Sequence, residues 1–410
     1  MNEKSFTHWK KNAAFFLSGQ GLSMLGSMLV QYAIMWHVTL STQSGSAMTL
    51  FAVAAVLPMF FISPFGGVWA DRYNKKYLIN ISDTVIAVVT LIMAIMFFFG
   101  INHIGLLFIC SVVRGLGQGV QTPAVNALLP QIVPNDKLTR INGINGSIQS
   151  LCMLAAPMLS GVILTFAAIE VVMMIDVFTA VIGISVVFFF VKTPPKAAVT
   201  THTIGADKNG YFRDMKQGLL YIKKHKFITE FMIFAAAINM MAAPASMLTP
   251  LQTTRNFGGD EWRLAAIEIA FSAGMILGGV IISAWGGFKN RTLSLAVAIV
   301  CLGAETIFFG LLGNFWLYIA CMAVTGVTMP FFTTPMMSIF QTKVEPEYTG
   351  RVFGVFSMIS SLMMPLGMVV FGPLGDVVSL NYIFMGTGAM ILLLGFVLGG
   401  NKTLMQAGKP

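Results

Sequence analysis

The chain has 410 residues, of which 56% are hydrophobic and 10% charged, with a formal charge of +9. A soluble domain carries about 25% charged residues, so a water-soluble protein is excluded. Nucleic-acid binding is also a poor account of the positive charge, because the Lys and Arg residues sit in short gaps between apolar runs, as loop charges of a membrane protein do. The first apolar run, near 13–40, is too long for the core of a cleavable signal and lacks a cleavage pattern, so it is expected to stay as the first span.

Bilayer-crossing helices need about 20 apolar residues. The chain predicts twelve, near 13–40, 47–69, 78–100, 104–126, 142–166, 169–191, 228–251, 263–286, 292–313, 315–338, 353–375 and 380–400. The fold class is therefore an all-α integral membrane protein. Span 1 places Gly19, Ser23, Ser27 and Gln31 at steps of four, a polar stripe that either lines a cavity or packs on a neighbour. Span 3 carries Asp83, span 4 Arg114, span 6 Asp176, span 8 Glu268, span 9 Glu305, and the end of span 11 Asp376. A charge at the bilayer centre costs roughly 2.5–3.5 kcal/mol on insertion scales and is kept where it is paired or faces water. Arg114 thus has either a coupling role or a structural ion pair. Asp83 and Asp376 lie near span ends, within reach of headgroups. The four cysteines (Cys110, Cys152, Cys301, Cys321) lie inside apolar runs and read as buried free thiols.

Of the 25 Lys and Arg residues, 22 fall at the termini or in even-numbered loops; the exceptions are Arg114, Arg255 and Arg263. The positive-inside rule puts those loops and both termini in the cytoplasm. Residues 192–227 turn polar, and Phe212, Met215, Leu219 and Ile222 have the spacing of an amphipathic surface helix over Tyr211–Lys226. The chain is thereby divided into a six-helix half over 1–191, a linker over 192–227 and a second half over 228–410. The halves repeat at an offset of 211: Cys110 meets Cys321, Gly115 Gly326, Thr122 Thr333, Asp136 Glu347, Arg140 Arg351, Gly143 Gly354 and Gly161 Gly372. At this offset Arg114 meets Thr325. Two parallel halves suit a transporter that rocks about a central site.

Between spans 2 and 3 the chain reads "GGVWADRYNKK". Here the sequence resembles the major facilitator superfamily, whose loop signature is matched by Gly67, Asp71, Arg72, Lys75 and Lys76. Asn74 stands in place of a Gly; it too tolerates a left-handed turn. The resemblance implies twelve helices in two halves and a conformational gate at these residues, while a plain topogenic loop would also explain the lysines. It implies a proton-coupling role for Arg114. Desolvation in a span favours the protonated form of a carboxylate, so Asp83, Asp176 and Glu305 are candidates to carry the proton or to meet substrate. "APMLSG" at 156–161 is similar to the antiporter signature of drug exporters through Pro157 and Gly161. "GQGLSMLGSMLVQ", "QSGSA", "AIEIAFSAGM" and "PEYTGRVFG" are similar to bacterial macrolide efflux proteins.

The expectation is a multi-pass protein of the bacterial cytoplasmic membrane that exports an amphiphilic drug in exchange for protons. Ser23, Ser27, Gln31 and Glu268 would line its cavity. The chain is expected to act as a monomer without cofactor, metal, nucleotide or nucleic acid. There is no phosphate-binding P-loop, so export would run on an ion gradient, which supplies about 2.3 kcal/mol per charge per 100 mV. Other amphiphiles (a tetracycline, a siderophore, a lipid) are the alternative cargo. A receptor or structural membrane protein is the alternative outside transport. No constellation of nucleophile, base or metal ligands suggests an enzyme.

Overall fold

The computed structural model describes residues 9–192 and 220–408. Among them are twelve helices long and apolar enough to cross a membrane, and no strand. They are α1 (Trp9–Thr42), α2 (Gly45–Arg72), α3 (Lys75–Phe98), α4 (Ile104–Ile132), α5 (Asn135–Phe166) and α6 (Ile169–Phe190). After residue 220 come α7 (Lys226–Met247), α8 (Thr249–Phe257), α9 (Glu261–Trp285), α10 (Arg291–Leu311), α11 (Phe315–Lys343), α12 (Pro346–Val377), α13 (Leu380–Gly400) and the short α14 (Lys402–Ala407). Most of the expected amphipathic helix, 211–219, lies outside the described residues.

Several helices outrun their apolar stretches. The α4 helix reaches Ile132, and α12 begins at Pro346. Hydropathy reports only the lipid-covered part of a helix; its backbone hydrogen bonds continue through polar sequence. The seventh span is broken where one helix was expected. Pro250 has no N–H to give the preceding turn, so α7 ends at Met247 and α8 restarts at Thr249. Asn74 does not take a left-handed turn. It has φ −70° and ψ 116°, and its side chain accepts from the Lys76 N–H as the cap of α3. Contrary to the reading of four buried thiols, Cys110 and Cys152 are buried, Cys321 is half-buried and Cys301 is exposed.

Contacts group Met1–Ser41 with Leu50–Thr200 as unit 1, and Thr42–Thr49 with Thr201–Pro410 as unit 2. Water drives no burial inside a membrane, so helices associate where small residues let backbones approach. In unit 1, "RGLGQG" serves this end: a Cβ on Gly115 would come within 2.6 Å of the Ala55 carbonyl on α2, and one on Gly117 within 2.7 Å of Ile86 on α3. Gly19 and Gly183 bring α1 onto α6. In unit 2, Gly274 and Gly326 join α9 to α11, and Gly303 and Gly388 join α10 to α13.

The repeat is visible in the helix bounds. Shifted by 211, α4 and α5 coincide with α11 and α12 at both ends, and α6 starts where α13 starts. Gly115 and Gly326, paired by this shift, both meet a backbone carbonyl, of Ala55 and Phe271.

Two of the three basic residues outside the charge bias, Arg255 and Arg263, fall in an odd-numbered loop, and each is paired with an acid. Arg263 lies 3.2 Å from Asp260. Arg255 lies 3.3 Å from Asp376 and donates to the carbonyls of Gly375 and Gln43. Asp376 therefore does more than meet headgroups. Within unit 2 it accepts from the N–H groups of Gly45 at 2.6 Å and Ser46 at 2.9 Å, and from Ser44 Oγ at 2.9 Å. This caps the first turn of α2, whose N–H groups have no partner in their own helix. Asp376→Ala is expected to speed amide exchange at Gly45 and Ser46, read by hydrogen–deuterium exchange. Unchanged exchange would show that the carboxylate contributes nothing to this end of α2.

Candidate functional site: two buried polar layers in unit 1

Three helices of unit 1 each carry two polar residues seven positions apart: Gln20 and Ser27 on α1, Asp83 and Thr90 on α3, Arg114 and Gln121 on α4. Seven residues are nearly two turns, so each pair shares a helix face and is separated by about 10 Å along the axis. The faces meet, and the six residues form two layers.

The first layer holds Arg114. Its Nη1 lies 2.7 Å from Asp176 Oδ2 on α6 and also bonds Thr90 Oγ1, while Nη2 donates to the Ser27 carbonyl at 2.9 Å. Ser27 Oγ donates to Asp176 Oδ1 at 3.2 Å. Arg114 is 1% exposed and Asp176 0%, so the charge found in span 4 is paired out of contact with solvent. Gly26 makes room for this arrangement, since a Cβ there would overlap Thr179 Oγ1 and touch Asp176. Arg114 Nε is buried with no hydrogen-bond partner among the described residues.

The second layer holds Asp83. Its Oδ1 accepts from Gln121 Nε2 at 2.5 Å and its Oδ2 from Gln20 Nε2 at 3.1 Å; the two amides meet at 3.3 Å. Asp83 is 2% exposed, which places it inside the unit, where a span-end position near headgroups was expected. The two side chains that bond it are neutral amides.

The other sequence candidates are spread out. Ser23 is buried beside Gly183 of α6, and Ser27 belongs to the first layer, so this part of the α1 stripe packs on α6. Gln31 is half-buried. Pro157 and Gly161 are buried on α5, and Ser160 between them donates to the Leu29 carbonyl of α1 at 3.2 Å. In unit 2, Glu305 on α10 accepts from Thr328 Oγ1 of α11 at 2.7 Å, and its Oε2 is buried without a partner among the described residues. Glu268 is half-buried on α9.

Of the loop signature, Gly67 lies inside α2, where an added Cβ would meet nothing within 4 Å; the packed glycine is Gly66, against Gly119 and Val120. Arg72 is exposed, Lys75 is half-buried at the start of α3, and the Asp71 side chain lies outside the described residues. Lys76 Nζ donates to the Val191 carbonyl at 2.8 Å and so closes the C-terminus of α6.

Gln20, Thr90, Gln121 and Ser160 were missed by sequence reasoning. The seven-residue spacing on three separate spans was the available signal for the first three. Unit 2 has a further unforeseen cluster: Gln252 on α8 donates to the Phe309 carbonyl and to Asn381, and accepts from the Tyr318 hydroxyl at 2.9 Å. At the offset of 211, Arg114 and Asp176 correspond to Thr325 and Thr387, so both members of the ion pair are replaced together.

Residues 13–368 match the family model described as Major Facilitator Superfamily. The chain is 27% identical over 396 residues to macrolide efflux protein A of Streptococcus pyogenes, covering 96% of each protein. It is 29% identical over 327 residues to macrolide efflux protein A of Enterococcus faecalis, covering 79% of this chain and all of that one. Among solved structures it is similar to a bacterial homologue of the iron transporter ferroportin in an inward-facing state. The TM-score there is 0.69 at 14% identity, over 96% of this chain and 99% of that one.

Proposed function

The chain belongs to the major facilitator superfamily, and from that premise we propose that it is a proton-coupled exporter of amphiphilic drugs of the macrolide type. It is a multi-pass membrane transporter of this family with twelve candidate spans. The finer reading is supported by likeness to macrolide efflux protein A along almost its whole length. The observation that carries the coupling is the polar interior of unit 1. Membrane-length helices there bury two carboxylates and an arginine, and such groups are costly in a bilayer and mark ion pathways and proton relays. Transport runs by alternating access. Asp71, Arg72, Lys75 and Lys76 with Gly67 act as the conformational gate, and the segment from Pro157 to Gly161 belongs to the antiport machinery. The termini and even loops face the cytoplasm of a bacterial cell.

The test is drug susceptibility of a pump-deficient bacterial host expressing the chain. A several-fold rise in resistance to macrolides is expected, with tetracycline unaffected, and the rise should vanish when the pH gradient is collapsed. Resistance to another class alone would replace macrolides by that class. Resistance that survives collapse of the gradient would remove proton coupling.

The orientation has its own test. In a background with the four natural cysteines replaced, a cysteine at Asn102 should react with an impermeant thiol reagent on intact cells. A cysteine at Lys289 should react only after permeabilisation. The reverse pattern would overturn the assignment of the loops.

A further inference from the structure

Three buried carboxyl groups in the spans have three different sets of partners, and the sets can be compared by what each offers the ionised and the protonated form. Asp176 faces a guanidinium at 2.7 Å and the hydroxyl of Ser27. Adding a proton would leave Arg114 as an uncompensated charge in the interior, the costly half of a broken buried pair. Glu305 accepts from Thr328, and its Oε2 is buried without a hydrogen-bond partner among the described residues. An ionised Glu305 would face hydroxyls but no counter-charge among the described residues.

Asp83 differs from both. As a carboxylate it receives one amide N–H on each oxygen, from Gln121 and Gln20. As an acid it must donate, and a glutamine side chain carries an acceptor oxygen beside its NH2 group. Rotation of either amide turns that oxygen to the Asp83 hydroxyl. The two glutamines thus satisfy both protonation states without adding or removing a charged partner. A lysine or arginine in their place would hold only the ionised state.

The helices that carry Asp83 and its two partners, and α6 packed beside them, bear other charged and titratable groups: on α4, Arg114 and Cys110; on α6, Asp176 and Glu170; on α1, Lys10, Lys11 and His37; on α3 itself, Lys75, Lys76 and Tyr77. Arg114 and Asp176 are paired with each other one layer away. Lys76, two turns before Asp83, is bound to the Val191 carbonyl at the end of α6.

We propose that Asp83 is the proton-carrying group of the transport cycle and that Gln20 and Gln121 are positioning residues serving its two protonation states. The step is a proton transfer: a proton from water on one side of the membrane joins an Asp83 carboxylate oxygen, and the same O–H bond later breaks to water on the other side. The assignment deepens the proton-coupled reading above and rests on it for its role in transport, but the titration of Asp83 can be measured without any drug.

The decisive measurement is infrared difference spectroscopy on the purified full-length protein, titrated across the neutral range, for wild type, Asp83→Asn and Asp83→Glu. A protonated-carboxyl stretch that titrates in wild type is expected to vanish in Asp83→Asn and to shift in frequency in Asp83→Glu. The same band unchanged in Asp83→Asn would overturn the assignment, whether or not the protein exports drugs. Should Asp83→Asn fail to fold, the frequency shift in Asp83→Glu decides alone, and its absence overturns the assignment.

Vesicle transport of erythromycin then tests the role. Asp83→Asn is expected to bind erythromycin within a few-fold of wild type and to exchange it across the membrane without a gradient. It should lose accumulation driven by a pH gradient. Uphill accumulation retained in Asp83→Asn would sink the role of Asp83 while leaving proton coupling in place. A wild type that itself ignores the pH gradient would instead remove proton coupling as a whole.

Discussion

Arg114→Ala is expected to destabilise the protein by about 3–5 kcal/mol, the usual result of removing one partner from a buried ion pair. Asp176 would be left with its charge and two hydroxyl partners, Ser27 and Thr90, at 0% exposure. The loss should show as a lower melting temperature and reduced membrane yield, with drug binding and transport falling together. Unit 2 supplies the control. Its counterparts Thr325 and Thr387 each bond a carbonyl four residues back in their own helix, at 3.0 and 2.8 Å, so neither needs a partner across the interface. The double variant Arg114→Thr with Asp176→Thr should therefore be more stable than Arg114→Ala, since it removes both charges at once. A double variant less stable than Arg114→Ala would show that the pair contributes little and that the two side chains act through packing. With Asp83 as the proton carrier, the double variant should also keep part of its pH-driven transport.

The second large effect concerns two glycines of unit 2 that differ in packing. Gly326→Ala would drive a Cβ into the Phe271 carbonyl oxygen. Backbone cannot swing away as a side chain can, so α9 and α11 must move apart, and overpacking of this kind costs about 1–3 kcal/mol or more. Gly354→Ala, on α12, meets nothing within 4 Å. There the added methyl should stabilise by about 0.5–1 kcal/mol, because glycine in a helix interior loses more backbone entropy on folding than alanine. Melting temperatures of the two variants should move in opposite directions. A shift of the same sign would mean that the approach of α9 to α11 at Gly326 is not the close contact described here.

Much of the architecture follows from the sequence because it depends on local quantities. Whether a segment can cross a bilayer is settled by the transfer energy of about 20 consecutive side chains, and twelve such segments stand out. The repeat is also a property of the text, and the shift of 211 that joins Gly115 to Gly326 relates the bounds of α4 and α5 to those of α11 and α12. That Arg114 needs compensation follows from the cost of its charge alone. Its partner does not. Asp176 lies 62 residues away, and only the packing of α6 beside α1, α3 and α4, through Gly19, Gly26 and Gly183, brings it within 2.7 Å. The same holds for Asp83, whose amide partners come from two other helices, and for Arg255, whose position outside the charge bias makes sense once Asp376 is beside it. Lys76 reads in sequence as one more loop charge, yet it closes the end of α6. The sequence by itself determined which segments enter the membrane and which charges require an answer, because both depend on transfer energies local to each segment. The tertiary structure decided which group answers each charge, because hydrogen bonds and ion pairs act over about 3 Å and depend on which helix faces pack together.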